Sequence, residues 1–100
     1  MIKHIVMFTL KDFAAGASRT DNARKIKHLL EGLKSKIDVI VSIEVGFAID
    51  KTSADYDVVV CAGFETLKDL ETYQTHPEHL KVGEFIGKVR TDRKVIDYEV

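Results

Sequence analysis

Apolar side chains occupy both faces of the first extended segment. Along residues 2 to 10, Ile2, Val6, Phe8 and Leu10 share one face with His4, while Ile5 and Met7 point the other way. A strand that is greasy on both sides has to be covered on both. Residues 11 to 20 read as a polar loop with Gly16 and Ser18, followed by a helix capped by Thr20 or Asp21. In that helix Ala23, Ile26, Leu29, Leu30, Leu33 and Ile37 recur as one stripe. Arg24, Lys25, Lys27, Glu31 and Lys34 take the solvated side.

A second strand is expected over 39 to 48, where Val39, Val41, Ile43, Val45 and Phe47 alternate with Ile40, Ser42, Glu44, Gly46 and Ala48. The polar segment 50 to 55 leads into a valine-rich third strand over 56 to 64. Thr66 caps a short helix through Leu67, Leu70 and Tyr73, which stops near His76-Pro77. Proline lacks a backbone N–H and fixes its own φ, so the next helix restarts at Pro77 with Leu80, Val82, Phe85, Ile86 and Val89. Residues 94 to 100 close the chain as a fourth strand.

The order β-α-β-β-α-α-β predicts one α+β domain over residues 1–100, a split βαβ or ferredoxin-like arrangement. Its four-stranded antiparallel sheet carries helices on one face only. On the other face the alternation places Ile5, Met7, Ile40, Val59, Cys61 and Val95, mixed with Ser42, Glu44, Asp97 and Glu99. An exposed apolar area of this kind marks an interface. The expectation is a homodimer whose two sheets face each other around a two-fold axis.

Charge narrows the partners further. With 15 basic against 16 acidic side chains and a net charge of -1, no surplus steers the chain to phosphate backbones or anionic lipid. Neither nucleic acid nor membrane is an expected partner. The apolar start is cut by Lys11-Asp12 before it reaches signal-peptide length. No stretch approaches the roughly 20 apolar residues of a membrane span. Cys61 is the single cysteine, which excludes an internal disulfide and fits a reducing, cytoplasmic setting.

Candidate chemistry gathers in Tyr73-Gln74-Thr75-His76-Pro77-Glu78-His79, which holds two of the four histidines and the only proline. A neutral imidazole at His79 can accept a proton from carbon next to a carbonyl, or it can tie the helix break through a carbonyl hydrogen bond. Tyr73 can donate its phenolic proton to an enolate oxygen, or simply pack its ring inward. His76 precedes the proline, where capping is the simpler role. His4 interrupts an apolar strand face, and burying it requires a partner, for which Tyr73 and His79 are candidates. His76, Glu78 and His79 do not match the spacing of a known metal motif, so no metal is expected. Glu78 is accounted for as a first-turn acid, His28 as solvated, and Cys61 as a small buried hydrophobe. No phosphate loop or dinucleotide fingerprint is present, and no cofactor is expected.

The opening Ile2-Lys3-His4-Ile5-Val6-Met7-Phe8 strand with Thr9-Leu10-Lys11 after it, the His76-Pro77-Glu78-His79 turn with Phe85, and the terminal Val95-Ile96-Asp97-Tyr98 together resemble the stress-responsive α/β-barrel domain (Dabb) family. The resemblance runs over essentially the whole chain, and the His-Pro-x-His turn is its most specific part. It implies ferredoxin-like protomers that dimerise into a shared barrel. It also implies an activity, because one plant member is a cofactor-free polyketide cyclase acting through a histidine and a tyrosine. Carried over by the turn, that pair falls on His79 and Tyr73, and a further pocket histidine falls on His4. Two other pocket positions differ: a histidine of the cyclase meets Val58, and a tyrosine meets Leu29 or Leu30.

The resulting expectation is an apolar pocket in each protomer between helices and sheet. Phe8, Val58 and Phe85 line it, and His4, Tyr73 and His79 supply its polar groups. Such a pocket suits a small, mostly apolar carbonyl compound. Three roles remain open: a ligand-binding dimer of unassigned activity, a polyketide-cyclase-like lyase or isomerase, and a non-enzymatic stability or assembly protein. Cofactor-free monooxygenases and haem-degrading proteins share the fold, but no residue here selects them.

Overall fold

The computed structural model describes residues 1–50 and 52–100; of the expected 50-to-55 loop, Lys51 lies outside the described residues. Strand β1 (Ile2–Leu10) runs through the middle of the sheet because both of its faces are apolar. It pairs antiparallel with β5 (Val58–Phe64) on one side and β6 (Arg90–Glu99) on the other. Strand β4 (Ser42–Phe47) completes the order β4-β5-β1-β6. Helices α1 (Arg19–Gly32), α2 (Leu67–Thr75) and α3 (Pro77–Val89) cover one face. The fold is ferredoxin-like, as the pattern predicts.

The core lies between those layers. Ile2, Val6, Phe8 and Leu10 from β1 pack under Ile26 and Leu30 of α1 and Ile86 and Val89 of α3, all nearly inaccessible. Two expected boundaries are met closely. Thr66 Oγ1 accepts from the Asp69 N–H at 3.1 Å to start α2. His76 separates α2 from α3 in an extended conformation, with Pro77 as the first residue of the new helix.

Elsewhere tertiary contacts overrode the local reading. The loop after β1 holds a small hairpin, β2 (Phe13–Ala14) and β3 (Ala17–Ser18), turning through Ala15 at φ 50° and Gly16 at φ 76°. Buried Asn22 anchors it, its Nδ2 donating to the Ala14 carbonyl at 3.0 Å and the Ala17 carbonyl at 3.3 Å. Ser18, leaving β3 extended, therefore caps α1 instead of Thr20 or Asp21; its Oγ accepts from the Asp21 N–H at 3.2 Å. After α1 the chain makes a 3-10 turn (Leu33–Ser35), and Ile37 and Ile40 fold into the core before β4 begins. Ile40 is thus withdrawn from the open sheet face where the alternation had put it.

The last strand brings the main correction. It begins at Arg90, directly after α3, and its register pairs Val6 with Val95, His4 with Asp97 and Ile2 with Glu99. Residues opposite one another in an antiparallel pair share a face. Val95, Asp97 and Glu99 therefore belong to the helix side of the sheet, not the open side. Ile96 and Tyr98 take the open face instead, both substantially exposed, beside Ile5, Met7, Val59 and Cys61.

Candidate functional site

Between α3 and the sheet the helix layer leaves a cleft of about 190 Å³. Buried Val6, Phe8, Leu30 and Val60 make its apolar floor, and His4, Tyr73 and His79 enter from β1, α2 and α3. Gly83, Gly87, Arg90 and Arg93 stand toward its rim. His79, Gly83 and Gly87 follow one another at i, i+4, i+8, so one face of α3 points at the cleft. No heavy atom comes within 4 Å of where a Cβ would sit on either glycine, which keeps that wall open.

The three polar rings form one cluster. The Tyr73 ring centroid lies 4.4 Å from that of His79 and 6.1 Å from that of His4, the latter edge-on at 69°. Phe64 backs Tyr73 at 5.0 Å. His79 Nδ1 donates to the Gln74 carbonyl at 3.2 Å, an arrangement made possible by the break at Pro77. That bond puts the ring proton on Nδ1 and leaves Nε2 with its lone pair. Burial lowers the His79 pKa, outweighing the Gln74 carbonyl, with the charges of His4, Arg93 and His76 acting in the same direction as burial. The imidazole is therefore neutral near pH 7.

Tyr73 is 1% exposed, and burial pushes its pKa up to about 12 against the pull of Arg93. Its hydroxyl stays protonated and makes no protein hydrogen bond among the described residues, so its proton is available to a ligand. His4 has the partner its burial demands, but neither Tyr73 nor His79 supplies it. Its Nδ1 meets Asp97 Oδ1 at 2.5 Å across the β1–β6 pair. This bond orients the ring and leaves Nε2 for the cleft.

Of the three expected apolar lining residues, one joins this cleft and two do not. Phe8 lines the cleft. Val58 is buried beside Phe8 at the far end of β5 and does not reach it. Phe85 points away from the His79 face of α3 and sits under the Lys25 ammonium, 4.4 Å from the ring centroid. His76 is a cap, its Nδ1 accepting from the Glu78 N–H at 3.0 Å. His28 is exposed. Cys61 is half-buried on the open sheet face, and burial followed by Glu44 raises its pKa. Among the described residues no group of three His, Cys, Asp or Glu could hold a metal ion, and no helix is long and apolar enough to cross a membrane.

Sequence reasoning missed Asp97, Arg90, Arg93, Gly83 and Gly87, and it did not assign Val6, Leu30, Val60 and Ile86 to the cleft. The two glycines had a signal, since they repeat the His79 position at helical spacing. Asp97 needed the strand register.

The model of the "Stress responsive A/B Barrel Domain" family matches residues 2–100. The chain is 23% identical over 103 residues to the stress-response A/B barrel domain-containing protein DABB1 of Arabidopsis thaliana, covering 98% of this chain but only 46% of that protein. The chain thus spans about half the length of that relative. A dimeric protein of unknown function and ferredoxin-like fold from Bacteroides fragilis superposes with a TM-score of 0.86 at 31% identity, covering 99% of this chain and 95% of that one. The hydroxynitrile lyase from Passiflora edulis shares the fold, with a TM-score of 0.78 at 18% identity over 97% of this chain and 90% of that one.

Proposed function

The chain belongs to the stress responsive A/B barrel domain family, and from that premise we propose that it acts as a homodimer whose protomers each bind a small carbonyl compound in the cleft and move a proton on it without a cofactor. The observation that carries this reading is the convergence of His4, Tyr73 and His79, from three separate elements, on one apolar cleft. Two helix-interior glycines hold the wall open, although each weakens α3 by about 0.5–1 kcal/mol relative to alanine.

In this reading His79 Nε2 is the base. It takes the proton from carbon adjacent to the ligand carbonyl, breaking C–H and forming N–H, and the electron pair moves onto the carbonyl oxygen. The Tyr73 hydroxyl donates a hydrogen bond to that oxygen as it becomes anionic. His79 then returns the proton to carbon, or the enolate carbon attacks a second carbonyl of the same molecule to close a ring and the His79 imidazolium gives its proton to the alkoxide that forms. His4, set by Asp97, is the second proton-handling group. The apolar floor lowers the local dielectric beneath these groups and strengthens each of these interactions. The cleft is smaller than the roughly 300–1,000 Å³ sites that take drug-sized ligands, so the substrate is small.

The dimer forms in this proposal through the open sheet face, where Ile5, Met7, Val59, Ile96 and Tyr98 otherwise meet water. A cytoplasmic setting accompanies it and keeps Cys61 a thiol.

The test is exchange of α-hydrogens from a panel of small ketones and 1,3-diketones in D2O, followed by proton NMR. The protein accelerates exchange for at least one of them, His79→Ala returns it to the buffer rate, and Tyr73→Phe slows it. Exchange at the buffer rate with the unaltered protein across the panel overturns the catalytic reading. A second reading has its own support, since the His79–Gln74 and His4–Asp97 bonds also tie elements together. A large fall in melting temperature for His79→Ala, with ligand binding unchanged, would favour that structural role.

A further inference from the structure

We infer that the ligand of the cleft is an organic acid, its carboxylate held by Arg90 and Arg93 while its apolar body lies on the floor toward His4, Tyr73 and His79. This rests on the cleft being a ligand site, as proposed above. The observation behind it is a defect in strand pairing. In an uninterrupted strand, side chains three residues apart point to opposite faces. Arg90 and Arg93 nevertheless both line the cleft, because the register slips between Thr9 and Leu10. Leu10 pairs with Arg90 and Thr9 with Asp92, so Thr91 is the extra residue of a bulge. The bulge is firmly built: Thr91 Oγ1 meets Thr9 Oγ1 at 2.5 Å, and the Asp92 N–H donates to Thr9 Oγ1 at 2.9 Å.

Its effect is to bring two arginines to the wall of one apolar cleft, with the Arg93 charge felt by both Tyr73 and His79. Among the described residues neither arginine forms an ion pair. The acids nearest in sequence are engaged elsewhere: Asp97 holds His4, and Asp92 accepts from the Tyr56 hydroxyl at 3.3 Å and from the Arg93 N–H at 2.8 Å. Two unpaired guanidiniums at the rim of a small apolar site match a planar carboxylate bidentately. The apolar floor favours an organic acid over inorganic phosphate, which offers nothing to bury there.

Titrating the full chain at pH 7.5 with benzoate, its neutral isostere benzamide and inorganic phosphate tests this, read by NMR shifts of the His4, Tyr73 and His79 rings. Benzoate should bind roughly tenfold or more tightly than benzamide. Arg93→Gln, at an exposed edge position that folding does not need, should abolish that preference, and Arg90→Gln should reduce it. Equal affinity for benzoate and benzamide, unchanged in Arg93→Gln, overturns the acid assignment and leaves the cleft a ligand site. Phosphate binding as tightly as benzoate overturns it too. If no probe moves the three rings, both the assignment and the cleft reading fall.

Discussion

Replacing Asp97 by alanine removes the only hydrogen-bond partner that a buried imidazole has among the described residues, which gives a measurable consequence for stability. His4 is 3% exposed, and its Nδ1–H has no second acceptor among the described residues. A hydrogen bond to a charged group contributes about 1.5–3 kcal/mol, and orphaning a buried donor costs about as much. The Asp97 side chain is 36% exposed, so solvent screens part of this and water can reach the gap. We therefore expect a loss of about 1–2 kcal/mol. For a domain of this size each kcal/mol moves the melting temperature by roughly 4–8 °C, so Asp97→Ala should melt roughly 4–16 °C lower. Asp97→Asn keeps an acceptor oxygen without the charge and should lose about half as much. Circular-dichroism melts at pH 7.5 and fixed protein concentration read this, fixed because a dimer's melting point follows mass action. Both variants melting within about 1 °C of the parent would refute the pairing, given the shift expected. So would a nitrogen NMR tautomer assignment placing the His4 proton on Nε2 alone.

Acid should weaken the protein through His79. Its native pKa lies below the ordinary value near 6.5, so between the two the unfolded chain binds more protons and stability rises with pH. That stability is complete above about pH 6.5 and is lost as pH falls through the lowered native value. The melting temperature should therefore drop from pH 7.5 to 5.5 more steeply in the parent than in His79→Gln, and equal slopes would contradict the burial argument. Ile5→Asp and Ile96→Asp, on the open sheet face, should each halve the mass seen by light scattering, whereas a parent already monomeric at high concentration would remove the proposed interface. Gly83→Ala should raise stability by about 0.5–1 kcal/mol, since its Cβ meets no atom, while weakening ligand binding at the narrowed rim. Raised stability with unchanged binding would show that α3 glycines do not serve the cleft.

The division between local and long-range information runs through particular residues. Alternation along β1, the Thr66 cap and the restart at Pro77 were legible because each depends on side-chain period or on hydrogen bonds spanning a few positions. Those short-range rules carry the element order, the ferredoxin-like fold and the grouping of Tyr73 with His79 around one break. Which residues finish the cleft was settled only in three dimensions. Asp97 lies 93 residues from His4, and the facing of the whole last strand turns on a one-residue register that no local pattern specifies. Arg90 and Arg93 reach the same side through an extra residue at Thr91, and Ile40 is drawn inward by the turn before β4. Periodicity assigns residues to alternating faces, but only pairing with β1 decides which of those faces holds the helices.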